Sequence, residues 1–243
     1  MAVSTERTWY RAVLFDMDGV VVDTEAQVAA FWRGLAAEHG FALTGAELER
    51  HVFGRSADHT LRTLFACIPP HRHPEVYQRM QVNDQTRQYT PIARVVPLLR
   101  ELHAAGVPTA LVTGAQPTKA AAVLDALDLA GVFGTVVHAE DVAAGKPDRA
   151  CYRLAAHRLD VAASQCVVFE DAVSGVSAAT AAGATCVALT TPERRAGVLA
   201  AGAAATITDF REVGFDADRL HIGEVASFRF TTAVAERDQV AAD

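Results

Sequence analysis

The chain has 243 residues, of which 51% are hydrophobic and 21% charged, with a formal net charge of −7. This length allows one sizeable core, or one core with a smaller appended domain, and the composition is ordinary for a soluble globular protein. The negative charge argues against broad electrostatic binding to nucleic acid or to an anionic membrane surface, so neither partner is expected.

The N-terminal sequence MAVSTERTWYRAV carries charges where a secretory signal peptide would have its apolar stretch. No apolar run approaches the roughly 20 residues that span a bilayer, and we expect a cytoplasmic protein. The cysteines show no C-x-x-C pairing, which favours buried reduced thiols over disulfides or a zinc site. They are Cys67, Cys151, Cys166 and Cys186.

Short apolar runs rich in β-branched residues alternate with helical patterns along most of the chain. The strand-like runs are AVLF (12–15), PTALVT (108–113), TVVH (135–138), CVVFE (166–170) and ATCVAL (184–189). The helical patterns lie near 92–105, 117–127, 148–158 and 174–182. This alternation predicts an α/β fold with a Rossmann-like parallel sheet and helices on both faces.

One interval, from about Thr24 to Thr90, contains no convincing strand. It holds amphipathic helical stretches such as AQVAAFWRGLAAEHG, which ends in a glycine C-cap signal at Gly40, and SADHTLRTLFA. We therefore predict a small all-α cap over residues 23–90, inserted between core segments 1–22 and 91–215, with hinges near 22–24 and 90–92. Residues 216–243 fit the pattern poorly and are predicted to be a C-terminal extension with mobile last residues.

Polar clusters follow the predicted strands. In an open parallel α/β sheet, ligands collect at the carboxyl ends of the strands, so these clusters should converge on one cleft. They are Asp16 with Asp18 and Gly19, Thr113 with Gly114, Lys146, and Glu170 with Asp171.

These residue types predict phosphoryl chemistry. Three or four carboxylates and one lysine cannot pack together without a cation, and oxygen ligands of this kind suit Mg²⁺, which in turn attracts phosphate. Thr113, the Gly114 amide and Lys146 could hold the phosphate oxygens. An ionised Asp16 can attack phosphorus to form an aspartyl phosphate, while Asp18 can give a proton to the leaving oxygen and later take one from water.

The same motifs resemble those of a known superfamily. DMDGVVVDTE, the Thr113–Gly114 strand end, GKPD around Lys146 and FEDAVSGVSAATAAGA are similar, in order and spacing, to the four motifs of the haloacid dehalogenase-like (HAD) hydrolases. The resemblance runs from about 13 to 189 and is strongest to the branch of β-phosphoglucomutases, phosphonatases and sugar-phosphate phosphatases. The predicted cap lies where that superfamily places its small cap.

The resemblance implies a role for each site residue. Asp16 would be the nucleophile and Asp18 the general acid/base. Mg²⁺ would bind Asp16, the Asp18 backbone carbonyl and Asp171, with Glu170 either a further ligand or a residue behind the ligands. The transferring phosphoryl group would be bound by Thr113, Gly114 and Lys146.

The residues also discriminate among the reactions of this branch. The dehalogenases lack the second acidic residue, so Asp18 favours phosphorus chemistry. Phosphonatases form a Schiff base through a cap lysine, and the predicted cap contains no lysine. β-Phosphoglucomutases place a histidine, an arginine and a lysine in the cap, and the corresponding positions here are Val28, Ala57 and Val82. This difference argues against a mutase. Arg55 in FGRS becomes the candidate cap contact to substrate.

We therefore predict Mg²⁺-dependent hydrolysis of a small phosphorylated metabolite, a sugar or polyol phosphate, by a monomer or small homo-oligomer. The alternatives are a β-phosphoglucomutase-like isomerase and a binding protein that has lost catalysis. His51 and His59 recur with Arg55 at intervals of four, and the sequence allows them to face either the cleft or solvent. Phe31 and Trp32 are interpreted as cap core.

Overall fold

The computed structural model describes residues 9–85 and 88–231, which contain a six-stranded parallel sheet. Its order, β3-β2-β1-β4-β5-β6, is that of a doubly wound α/β fold and confirms the predicted fold class. The strands are β1 (Ala12–Phe15), β2 (Thr109–Val112), β3 (Thr135–Val137), β4 (Cys166–Glu170), β5 (Thr185–Leu189) and β6 (Ala205–Ile207).

Helices cover both faces of the sheet, which explains why β1 is fully buried and apolar throughout. The helices are α5 (Val95–Ala104), α6 (Pro117–Ala126), α7 (Ala150–Arg158), α8 (Val173–Ala182) and α9 (Arg195–Ala200). Val13 and Phe15 pack into the core on one face, with α5 and α6, while Ala12 and Leu14 pack on the other, with α7, α8 and α9.

The chain between β1 and α5 is helical and has its own cluster of buried side chains, which includes Trp32, Leu61 and Phe65. The capping box at Thr44 starts one of these helices, and Gly40, with φ 79°, follows the end of another. We call residues 25–85 the cap and the sheet with its helices the core. The cap helices are α1 (Glu25–Glu38), α2 (Gly45–His51), α3 (Ala57–Leu64) and α4 (His73–Gln85).

The two chain segments that join cap and core lie side by side. Val22 bridges Pro91 in antiparallel fashion, and the Asp23 amide donates to the Thr90 carbonyl at 2.9 Å. The two segments predicted as hinges are therefore hydrogen-bonded to each other. They form one paired connection between cap and core rather than two independent linkers.

The C-terminal region differs from the prediction. The core was predicted to end at 215, but β7 (Val213–Asp216), β8 (Arg219–Ile222) and β9 (Ala226–Arg229) form an antiparallel sheet, and Phe228 and Phe230 are buried in the core. These strands were missed because they are not continuous apolar runs like β1, and four residues that mix polar and apolar side chains are too short to show a period. The three-residue β6 was missed as well. The predicted mobile last residues lie outside the described residues.

The cysteine prediction also needs correction. Cys151, Cys166 and Cys186 are buried as expected, but Cys67, in the loop after α3, is exposed, and all are free thiols. Within residues 9–85 and 88–231, the helices are too short or too polar to cross a membrane.

Candidate active site

The predicted site residues meet at the carboxyl edge of the parallel sheet. Asp16 directly follows β1, Thr113 directly follows β2, Glu170 ends β4, and Lys146 comes from the loop after β3. Because β1 lies between β2 and β4, Asp16 is at the centre of this edge. The strand-end prediction is thus matched by the observed geometry.

Lys146 is buried among oxygen atoms. Its Nζ lies 2.5 Å from Asp16 Oδ1 and 2.6 Å from Glu170 Oε1, and it donates to the Val112 carbonyl at 3.1 Å. These contacts use all three donors of the ammonium. Burial by itself lowers the pKa of Lys146, but the two carboxylates outweigh it and raise the pKa above its usual value, so the side chain stays charged.

Asp16, Glu170 and Asp171 form a cluster in which one carboxylate oxygen of each residue lies within 4.8 Å of those of the other two. Burial, reinforced by neighbouring carboxylates, raises the pKa of Asp16 to about 7 and that of Asp171 well above its usual value. Asp171 Oδ1 is buried without a hydrogen-bond partner. One ammonium cannot neutralise three carboxylates, of which two are buried and the third, that of Asp171, is half-buried. The cluster therefore needs a further cation, and oxygen ligands of this kind fit Mg²⁺.

Glu170 is held from several sides. Its Oε1 accepts from the Tyr152 hydroxyl at 2.5 Å as well as contacting Lys146, and its Oε2 accepts from the Asp171 amide at 3.1 Å. Tyr152 was missed by the sequence analysis because nothing in a helical pattern shows which residue faces a strand end. Since protein donors occupy both carboxylate oxygens of Glu170, these contacts favour a residue that supports the metal ligands over one that binds the metal directly.

Gly175 on α8 packs against this carboxylate, because a Cβ there would lie 1.9 Å from Glu170 Oε1. We expect Gly175→Ala to destabilise the fold by roughly 1–3 kcal/mol despite the better helix propensity of alanine. Gly34→Ala is the matched control, since Gly34 lies on α1 and, beyond its chain neighbours and the backbone of its own helix, no atom of the described residues lies within 4 Å of its Cβ position. It should stabilise by about 0.5–1 kcal/mol. Urea unfolding measures both, and equal gains would show that Glu170 is not held at this position.

Asp18 points into the space between core and cap. Its Oδ1 accepts from Lys119 Nζ at 2.6 Å and from the Thr24 hydroxyl. The backbone turns at Gly19, where φ is 79° and a Cβ would lie 2.0 Å from Asp171 Oδ2, so only glycine fits. Lys119 was not predicted as a site residue, although the presence of only two lysines in the chain was a usable signal.

Arg55 joins the cap to the core. Its Nη1 donates to the Lys146 carbonyl at 2.8 Å, while its Nε is buried without a partner. A Cβ at Gly114 would lie 3.2 Å from the Arg55 carbonyl oxygen, so the cap loop approaches the phosphate-binding turn closely. Thr113 Oγ1 accepts from the Ala115 amide at 3.0 Å, which fixes the turn.

A cavity of about 430 Å³ lies between core and cap. His51 and His59 do not line it; they stack on each other, with Nδ1 of His51 3.4 Å from Nε2 of His59. Of the positions that β-phosphoglucomutases use, Val28 and Ala57 line the cavity, whereas Val82 is exposed elsewhere. The lining includes Asp16, Asp18, Thr113, Gly114, Lys119 and Asp171 from the core and Trp32, Phe53, Arg55, Tyr77 and Met80 from the cap.

Comparisons with known proteins agree with this geometry. A family model described as haloacid dehalogenase-like hydrolase matches residues 10–183. Validoxylamine A 7'-phosphate phosphatase from Streptomyces hygroscopicus subsp. limoneus is 32% identical over 186 residues, covering 75% of this chain and 86% of that protein. Hexitol phosphatase A from Escherichia coli (strain K12) is 33% identical over 186 residues, covering 75% and 84%.

A solved structure is also similar. The crystal structure of a HAD family hydrolase from Deinococcus radiodurans R1, with bound phosphate and sodium, aligns with a TM-score of 0.62 at 31% sequence identity. The alignment covers 82% of this chain and 91% of that one.

Proposed function

The chain belongs to the haloacid dehalogenase-like hydrolase family, and we propose that it is a phosphatase that hydrolyses a small phosphomonoester, a sugar or polyol phosphate. The observation that carries this proposal is the position of Asp16. Its carboxylate lies at the cavity wall, paired with the buried ammonium of Lys146 and beside two further carboxylates. The phosphatase names of the relatives at 32% and 33% identity support it.

In this proposal Asp16 is the nucleophile. Its carboxylate oxygen attacks phosphorus, the bond to the leaving oxygen breaks, and an aspartyl phosphate forms. Lys146 holds the carboxylate through one oxygen and so orients the other toward the cavity. Water then attacks the aspartyl phosphate and releases inorganic phosphate.

Asp18 is the proposed general acid and base. Its side chain is 30% exposed, in contrast to the buried Asp16, and it lines the cavity two residues further along the chain. It would give a proton to the leaving oxygen in the first step and take one from water in the second. Thr24 and Lys119 hold its Oδ1 and thereby set the direction of the carboxylate.

Asp16, Asp171 and the Asp18 backbone carbonyl are the groups that we propose to hold Mg²⁺. When bound, the ion would neutralise the buried carboxylates and reduce the repulsion between a carboxylate nucleophile and a phosphate dianion. Thr113 and the Gly114 amide would hold oxygens of the transferring phosphoryl group, with Lys146 supplying positive charge from behind Asp16. Glu170 would keep that ammonium in place.

The cavity favours hydrolysis over mutase chemistry. A mutase must hold a second phosphate in the cap while it rephosphorylates its product. Two of the three positions that β-phosphoglucomutases use for this are the apolar Val28 and Ala57, and Arg55 is already bonded to the Lys146 carbonyl. The leaving group would instead pack against apolar and aromatic side chains, with water excluded during phosphoryl transfer.

The direct test is inorganic phosphate release from a panel of hexitol, sugar and nucleoside phosphates. We expect release from at least one sugar or polyol phosphate, its loss in EDTA, and its recovery on adding Mg²⁺. Glucose 1-phosphate with its bisphosphate serves as the mutase control. Conversion of that substrate with phosphate conserved, and no release from the panel, would replace the hydrolase by the isomerase.

A further inference from the structure

Arg194 connects the core to two cap helices, although it does not line the cavity. It lies at the start of α9, after β5, and its guanidinium binds Glu25 through two parallel contacts at 2.6 and 2.7 Å. The same group contacts Glu49 at 2.5 Å. One core side chain therefore holds the first residue of α1 and the middle of α2 at once.

Arg194 binds Glu25, which is adjacent to Thr24, the hydrogen-bond partner of the proposed general acid Asp18. Glu25 follows Thr24, whose hydroxyl donates to Asp18, and both Glu25 and Thr24 line the cavity. The N-terminus of α1 is thus tied at one point to Asp18 and at the next to Arg194. A cap that rotates away from the core must break the contacts of Arg194 and displace Thr24.

The guanidinium also lies 5.7 Å from the centroid of the Phe53 ring, which lines the cavity. Its side chain is 35% exposed and those of Glu25 and Glu49 are 39% and 43% exposed, so solvent screens these pairs only in part. The planar guanidinium of Arg194 binds the Glu25 carboxylate with two parallel bonds and the Glu49 carboxylate with a third. Lysine cannot reproduce this geometry.

We propose that Arg194 is a positioning residue, which anchors the cap over the cavity and keeps Thr24 against Asp18. This role rests on the proposed phosphatase function. Arg194 would thus affect the reaction from outside the cavity, because the cap excludes water and the contact with Thr24 orients the Asp18 carboxyl group.

The test compares Arg194→Ala, Arg194→Lys and Glu49→Gln with Arg79→Ala. Arg79 is the matched control, since it makes a similar double contact to Glu38, at 2.7 Å for both bonds, but entirely within the cap. Glu49 does not line the cavity, so Glu49→Gln weakens the anchor without changing a cavity side chain. Steady-state kinetics use the best hexitol or sugar phosphate of the panel.

A second readout reports cap position without substrate. Spin labels are placed on Cys67, the exposed cysteine of the cap, and on the cysteine introduced by Arg153→Cys on the exposed side of α7. Cys151, Cys166 and Cys186 are buried and should not react. The distance distribution between the labels then measures how far the cap departs from the core.

We expect Arg194→Ala to lower kcat/KM by about tenfold and to broaden the label distances toward longer values. Arg194→Lys and Glu49→Gln should fall between this variant and the wild type, while Arg79→Ala stays close to the wild type. Unchanged distances in Arg194→Ala, or effects equal to those of Arg79→Ala, would overturn the proposal. If the wild type releases no phosphate but the distances still broaden, the proposed function fails while the anchoring of the cap stands.

Discussion

Asp16→Asn should abolish phosphate release, with a loss on the order of 10⁴-fold in kcat. The amide has nearly the shape of the carboxylate and can still accept from Lys146, but its oxygen is not a competent nucleophile toward phosphorus. Because the change removes one of three clustered carboxylates, it should leave the fold intact. Phosphate release with Mg²⁺ and the best substrate of the panel measures the effect.

Asp23→Asn is the matched control for this variant. Asp23 belongs to the same DMDGVVVDTE motif but is exposed and does not line the cavity, so its turnover should equal that of the wild type. Mass spectrometry of the acid-quenched wild type should show one added phosphoryl group that Asp16→Asn lacks. Full turnover in Asp16→Asn would exclude it as the nucleophile.

Lys146→Met should cause the largest loss of stability, roughly 3–5 kcal/mol in the free energy of unfolding. The substitution removes the ammonium that contacts Asp16 and Glu170, whose side chains are 4% and 0% exposed, and leaves their charges unpaired. Activity should be lost as well. Urea unfolding in EDTA measures the change, and Mg²⁺ should restore part of the stability, because a bound cation can replace some of the missing charge.

The other lysine of the chain supplies the comparison. Lys119→Met removes one ion pair, and the carboxylate of its partner Asp18 is 30% exposed, keeps the Thr24 hydroxyl as a donor and can be solvated once the ammonium is gone. Its loss of stability should be clearly smaller than that of Lys146→Met. Equal losses would mean that the buried pairing of Lys146 with two carboxylates is not what stabilises the site.

The core of the fold could be predicted because its signals are local. AVLF and CVVFE are short apolar runs, and a strand covered on both faces needs no alternation, so these runs predicted β1 and β4 with their observed bounds. The C-terminal strands could not be predicted in this way. Phe228 and Phe230 are buried only because the core offers them a surface, which no local pattern records.

The same distinction between local signals and tertiary packing holds for the residues of the site. The sequence by itself determined that carboxylates, a threonine and a lysine would stand at strand ends, because the strand end is a property of the apolar run that precedes it. Tyr152, Lys119 and Arg194 lie on or beside helices, where a polar side chain can face solvent, a strand end or another domain. Only the tertiary structure decided among these environments. The environment of such a side chain depends on how separate elements pack and on which buried charges need a partner.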